Sequence, residues 1–176
     1  MIKRLIVLMI SVLAVATAFA EEGNSNTTLK VDLDAVVSTG FVQPVDGISS
    51  AGQPDKAALA VFAEQAYTTV IDLRTEGEDR GIDEATAVKE LGMEYVPFPI
   101  AGMRAINFDN AKKLGQLIEA ADGPVLVHCG SANRVGALLA LQKSLDGADD
   151  AAALAYGKKG GVTRLEGRVR EVLKAK

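Results

Sequence analysis

The chain has 176 residues, 48% hydrophobic and 24% charged, a balance that fits one folded domain and excludes a disordered or collagen-like chain. Its formal net charge of −4 argues against binding a nucleic-acid backbone. One histidine, His128, and one cysteine, Cys129, stand side by side, which excludes an intrachain disulfide and any metal site of several histidines or cysteines.

Lys3 and Arg4 precede the apolar run Leu5 to Ala20, which ends in Thr17-Ala18-Phe19-Ala20 before Glu21-Glu22. A positive start, a short apolar core and a small-residue exit read as a secretory signal peptide over residues 1–20. A membrane-spanning helix needs about 20 apolar residues, so no stable membrane anchor is expected after cleavage. The destination is outside the cytoplasm, in a bacterium the periplasm. Losing Lys3 and Arg4 moves the formal charge from −4 to −6. A lone thiol in such a compartment is either buried and inert or reactive.

Residues 21–30 are polar and read as a flexible leader; residues 31–176 read as one domain. Leu59, Phe62, Ala63 and Ala66 recur at helical spacing, so Pro54-Asp55 opens a helix. Thr69 to Leu73 is a short β-branched run, hence a strand. Ala87, Val88 and Leu91 share a helical face that Gly92 ends. Tyr95 to Ile100 holds Pro97 and Pro99, which restrict it to a short, edge or early-ending strand. Ala111, Leu114, Leu117, Ile118 and Ala121 define a further helix with Asp109 in its first turn.

Val125-Leu126-Val127 is an all-apolar strand of the kind buried in parallel sheets. Val135 to Leu145 is apolar nearly all round and predicts a buried helix. Thr163 and Glu166 have the spacing of a capping box for a last helix carrying Leu165, Val169, Val172 and Leu173. Helix and strand alternate through residues 55–145, with helical segments after, so the fold expected is a single α/β domain. Its central sheet is mainly parallel, with helices on both faces.

The chemistry concentrates in Val125 to Gly136. A buried strand ends at His128, small residues follow, and a buried helix begins near Arg134. Open α/β sheets bind ligands at the C-terminal ends of their strands. A helix start there offers unpaired N–H groups and the positive end of a dipole, which suits an anion. The same field favours a thiolate, so Cys129 is the candidate nucleophile, with a lowered pKa. Gly130, Ser131, Ala132 and Asn133 are candidates to bind phosphate through their backbone N–H groups. Arg134 adds a planar fork matched to its oxygens. His128 is expected to support the loop rather than to move protons. The run Glu76-Gly77-Glu78-Asp79, with Asp83-Glu84, reads as a solvated loop and helix start, with a lining of the site mouth that repels polyanions as the lesser alternative, and Lys158-Lys159 as an exposed turn.

His-Cys, four residues and Arg after an apolar strand resembles the cysteine-dependent phosphatases of the tyrosine and dual-specificity type. The chain looks still more like the bacterial phosphatase-like domains called beta-lactamase-hydrolase-like. The residues that carry this likeness are Ser49 to Pro54, Val70 to Arg74, Asp83 to Ala85, Val125 to Gly136 and Gly161 to Glu166. The resemblance implies a phosphatase-like α/β fold, a Cys129 nucleophile, an Arg134 oxyanion clamp, and a phosphorylated or other small anionic substrate, with no cofactor and no metal.

Three departures stand out. Active tyrosine phosphatases place five residues between Cys and Arg, whereas this chain has only Gly130 to Asn133. They follow the Arg with Ser or Thr, and here Val135 follows. Their aspartate general acid has no counterpart in Ala101 to Asn107, which holds no carboxylate, and Asp109 also suits a helix first turn. Loss of an alkoxide without an acid is slowed by about 10²–10⁴-fold. Three functions therefore stay open. The first is a cysteine-dependent phosphatase-like hydrolase acting on a phosphate monoester. The second is a rhodanese-like sulfurtransferase carrying a Cys129 persulfide. The third is a non-catalytic anion-binding module.

Overall fold

The computed structural model describes residues 42–176. The signal-peptide and leader segments, 1–20 and 21–30, lie outside the described residues. Along the chain run β1 (Val42–Val45), β2 (Ile48–Ala51), α1 (Lys56–Glu64), β3 (Thr69–Asp72), α2 (Glu84–Glu90) and β4 (Glu94–Pro97). A 3₁₀ turn (Met103–Ala105) follows, then α3 (Phe108–Glu119), β5 (Val125–His128), α4 (Asn133–Leu145), α5 (Asp150–Lys159) and α6 (Glu166–Lys174).

The strands form one sheet in the order β1-β2-β5-β3-β4, parallel except for β1. β5 lies at the centre with all four residues buried, as its unbroken apolar run predicts. Successive side chains point to opposite faces, so one apolar strand supplies two cores. Val70 and Leu126 pack under α1 and α2, with Leu59, Phe62 and Val88. Ile71, Val125 and Val127 pack under α3 to α6, with Leu114, Leu138, Leu141 and Val169. The expected α/β class, mainly parallel sheet and two-sided helical cover are all present.

Local chemistry sets the element ends. Asp55 Oδ1 accepts from Ala58 N at 2.8 Å and caps α1, and Asn107 Oδ1 accepts from Asn110 N at 2.8 Å and caps α3. Asp109 sits exposed in the first turn of α3. β4 is an edge strand that stops at Pro97, since proline offers no ladder donor. The opposite edge of the described sheet, β1, also carries a proline, Pro44.

Several features add to the sequence reading or depart from it. β1 and β2 form a hairpin around Asp46-Gly47, both at positive φ (43° and 87°). That dipeptide is a turn signal in its own right. α5 is a full helix, crossing α4 so closely that a Cβ on Gly136 would lie 2.5 Å from Gly157 O. The capping box of α6 does not form. Thr163 donates its N–H (2.8 Å) and hydroxyl (3.3 Å) to Asn133 Oδ1, while Glu166 pairs with Arg170 at 2.7 Å and Lys158 at 3.1 Å. Lys158 and Lys159 are exposed but end α5 rather than forming a turn.

Candidate functional site

Cys129 is the first residue past β5, buried to 1% exposure at the C-terminal end of the sheet. Its N–H donates to Ala51 O at 3.2 Å, and Leu73 N donates to His128 O at 3.0 Å. The start of the loop is thus tied to both neighbouring strand ends. Ser131 makes an isolated bridge to Gly52, and Ala132 turns the chain into α4 with a left-handed φ of 59°. Gly136 N closes the first helical hydrogen bond on Ala132 O at 2.9 Å. Cys129, Gly130, Ser131, Ala132, Asn133 and Arg134 therefore form one short strand-to-helix turn, with Gly130 and Ser131 exposed.

Their side chains divide the work differently from the sequence reading. Asn133 points inward, where its Oδ1 accepts from Thr163 N and from Leu165 N (3.3 Å), fastening the start of α6 to the start of α4. Arg134 reaches back under the loop to Glu78. Its Nη1 also donates to Leu73 O (3.2 Å) and Ile100 O (3.3 Å).

The pairing of Glu78 with Arg134 is what the sequence reading missed. Its two carboxylate oxygens accept from Arg134 Nη1 at 2.7 Å and Nη2 at 2.6 Å, a fork-to-fork pair. Thr75 N (2.9 Å), Thr75 Oγ1 (3.1 Å) and Arg74 Nε (3.3 Å) donate to the same carboxylate. The bond from Arg134 holds the Glu78 carboxyl down to about 2, and Glu78 in turn raises the Arg134 guanidinium above its ordinary value. Glu78 is therefore part of the site, while Glu76, Gly77 and Asp79 around it are exposed, as read for a solvated loop.

Behind the cysteine lies a second, sealed cluster. Glu84, Asp72 and His128 are all buried to 1% exposure or less. His128 Nε2 lies 2.8 Å from Glu84 Oε1 and 3.6 Å from Asp72 Oδ1, although the ring N–H is not directed along a hydrogen bond to either. Asp72 accepts from Arg74 N, Arg80 Nε and Tyr95 Oη, each at 2.7 Å, and Glu84 Oε2 from Gln53 Nε2 at 3.0 Å. Burial, then the bond to Asp72, raises the Tyr95 hydroxyl pKa.

The ligand atoms of Asp72, Glu84 and His128 fall within 4.8 Å of one another, a spacing metal ligands share. Arg80 already supplies a cation there, 2.7 Å from Asp72 and 3.7 Å from Glu84. The cluster is a scaffold that fixes His128, and so supports Cys129 from behind. Asp72 ending an apolar strand was the one sequence signal for it.

Residues 41–158 match the family described as beta-lactamase hydrolase-like protein, phosphatase-like domain. A beta-lactamase hydrolase-like protein of Xylella fastidiosa is 33% identical over 104 residues, 57% of this chain and 24% of that protein. The chain thus spans about a quarter of that relative's length. Among solved structures, a candidate phosphatase from Neisseria meningitidis superposes with a TM-score of 0.64 at 21% identity, over 85% of this chain and 98% of that one. TpbA of Pseudomonas aeruginosa, solved as a variant in complex with phosphotyrosine, has a TM-score of 0.55 at 19% identity, over 78% and 96%. At these identities the structural likeness concerns the fold. The chain belongs to the beta-lactamase hydrolase-like, phosphatase-like domain family.

Proposed function

We propose that this family member is a cysteine-dependent phosphatase-like hydrolase acting on a phosphate monoester. The observation that carries the reading is the placement of Cys129 and Arg134 on one short turn, between the end of the buried central strand and the first turn of α4. The Cys129 thiolate attacks phosphorus, forming an S–P bond as the ester P–O bond breaks and the alcohol oxygen leaves. Water then attacks phosphorus, the S–P bond breaks, and inorganic phosphate departs as the thiolate reforms. Backbone N–H groups of Gly130, Ser131, Ala132 and Asn133, with the Arg134 fork, hold the non-bridging oxygens.

The leaving oxygen must take a proton or depart as a stable anion. Ala101 to Asn107 holds no carboxylic acid. Glu78, with a carboxyl held at about 2, is already ionised at neutral pH and has no proton to give. Esters with good leaving groups are therefore the expected substrates. The full chain under reducing conditions should hydrolyse an activated aryl phosphate, and Cys129→Ser should reduce turnover to background. Equal rates for the two would refute the thiolate mechanism.

A second reading, a sulfurtransferase of rhodanese type carrying a Cys129 persulfide, draws on the same absence of an acid, because sulfur transfer requires none. The Cys129 thiolate would then take the outer sulfur of thiosulfate as its S–S bond breaks and sulfite leaves, a gain of one sulfur seen in intact mass. The export reading of residues 1–20 belongs to this proposal. It predicts a mature chain beginning at Glu21, in the periplasm of a bacterial host.

A further inference from the structure

The guanidinium of this site is already engaged by a group of the protein itself. Glu78 takes both Nη groups of Arg134, the residue the phosphatase reading assigns to substrate oxygens. Its Oε2 lies 4.0 Å from where a Cβ on Gly130 would stand, so the carboxylate sits against the loop that is meant to hold phosphate. Unlike Asp72 and Glu84, the Glu78 side chain is 29% exposed, within reach of a solute anion. It also has somewhere to go, because Arg74 Nε is 3.3 Å from the same Oε2.

We propose that Glu78 is a built-in competitor, and that a tetrahedral oxyanion binds only by displacing its carboxylate from Arg134 toward Arg74. The inference rests on reading the Cys129–Arg134 loop as an anion site. Ligand affinity is then reduced by the fraction of molecules in which Arg134 is free. Glu78 thereby becomes a determinant of which anions enter: only those that outcompete a bidentate carboxylate do so. Glu78 stays ionised across the neutral range, so the competition does not relax between mildly acidic and alkaline pH.

Titration of the full chain with inorganic phosphate, by calorimetry, separates the cases. Glu78→Gln and Glu78→Ala should bind about tenfold more tightly than the parent, and Arg134→Ala should lose binding. Unchanged or weaker binding in both Glu78 variants, with loss in Arg134→Ala, overturns the competitor and leaves the anion site standing. No binding by any version, parent included, removes the anion site and the inference together. A structure of the parent chain with orthovanadate is independent of how the variants fold. Glu78 parted from Arg134 is the expected result, and an intact Glu78–Arg134 pair beside bound vanadate overturns the inference.

Discussion

Two acid–base clusters flank the end of β5, and they are built to opposite specifications. Behind Cys129, Asp72 and Glu84 are sealed from solvent and held by Arg80, Tyr95, Gln53 and a backbone N–H, with His128 Nε2 2.8 Å from Glu84. In front, Glu78 meets Arg134 through an equally short pair, yet the two side chains are 29% and 18% exposed. Short distances alone therefore do not separate a strut from a latch. Solvent access does. A buried pair has no alternative partner, and removing one member strands the other. A pair at the surface is exchanged for water or another ion at little cost.

Mutations that test this contrast rank accordingly. Glu84→Ala leaves His128 and Arg80 facing a hole in the sealed cluster and should cost about 3–5 kcal/mol in urea unfolding. A loss below about 1 kcal/mol would show that the cluster is not a strut. Tyr95→Phe removes one hydrogen bond to the Asp72 carboxylate and should cost about 1.5–3 kcal/mol by the same measurement. Glu78→Gln should cost less than about 1 kcal/mol at neutral pH, as exposed pairs do.

Its signature is in acid. The folded Glu78 carboxyl lies below its ordinary 4.5, at about 2, so its contribution is full above 4.5 and disappears as pH falls toward 2. The parent chain should lose stability across that window more steeply than Glu78→Gln. Parallel curves would mean that the Arg134 pair contributes nothing in solution.

What the sequence disclosed follows from what was local. The loop was legible because Cys129 to Arg134 are contiguous and flanked by an apolar strand and an apolar helix. Glu78 lies 56 positions from Arg134, and only the stacking of β3 beside β5 brings them together. Glu84 looks like an ordinary first-turn acid, and Asp83 does cap α2 through Thr86 N at 3.2 Å. Nothing in that pattern tells that the next side chain turns inward.

The β1–β2 hairpin escaped notice because β2 carries Ser49 and Ser50 at fully buried positions. Their hydroxyls are satisfied by Tyr67 Oη and Gly160 O, both at 2.6 Å, partners that no periodicity encodes. Helix α5 is rich in alanine and glycine, with little contrast between its faces. It is held by the close crossing at Gly136 and Gly157 rather than by an apolar stripe.

The prolines at the two margins of the described sheet, Pro44 in β1 and Pro97 in β4, have a consequence beyond ending strands. An outermost strand with unpaired N–H and C=O groups is a template on which a second molecule can add a strand and begin a fibre. Each proline removes a donor and interrupts that template, so both margins resist chain-to-chain stacking. Crowded molecules of this domain should for that reason remain dispersed, and replacing either proline with valine should bring aggregation on sooner during prolonged incubation.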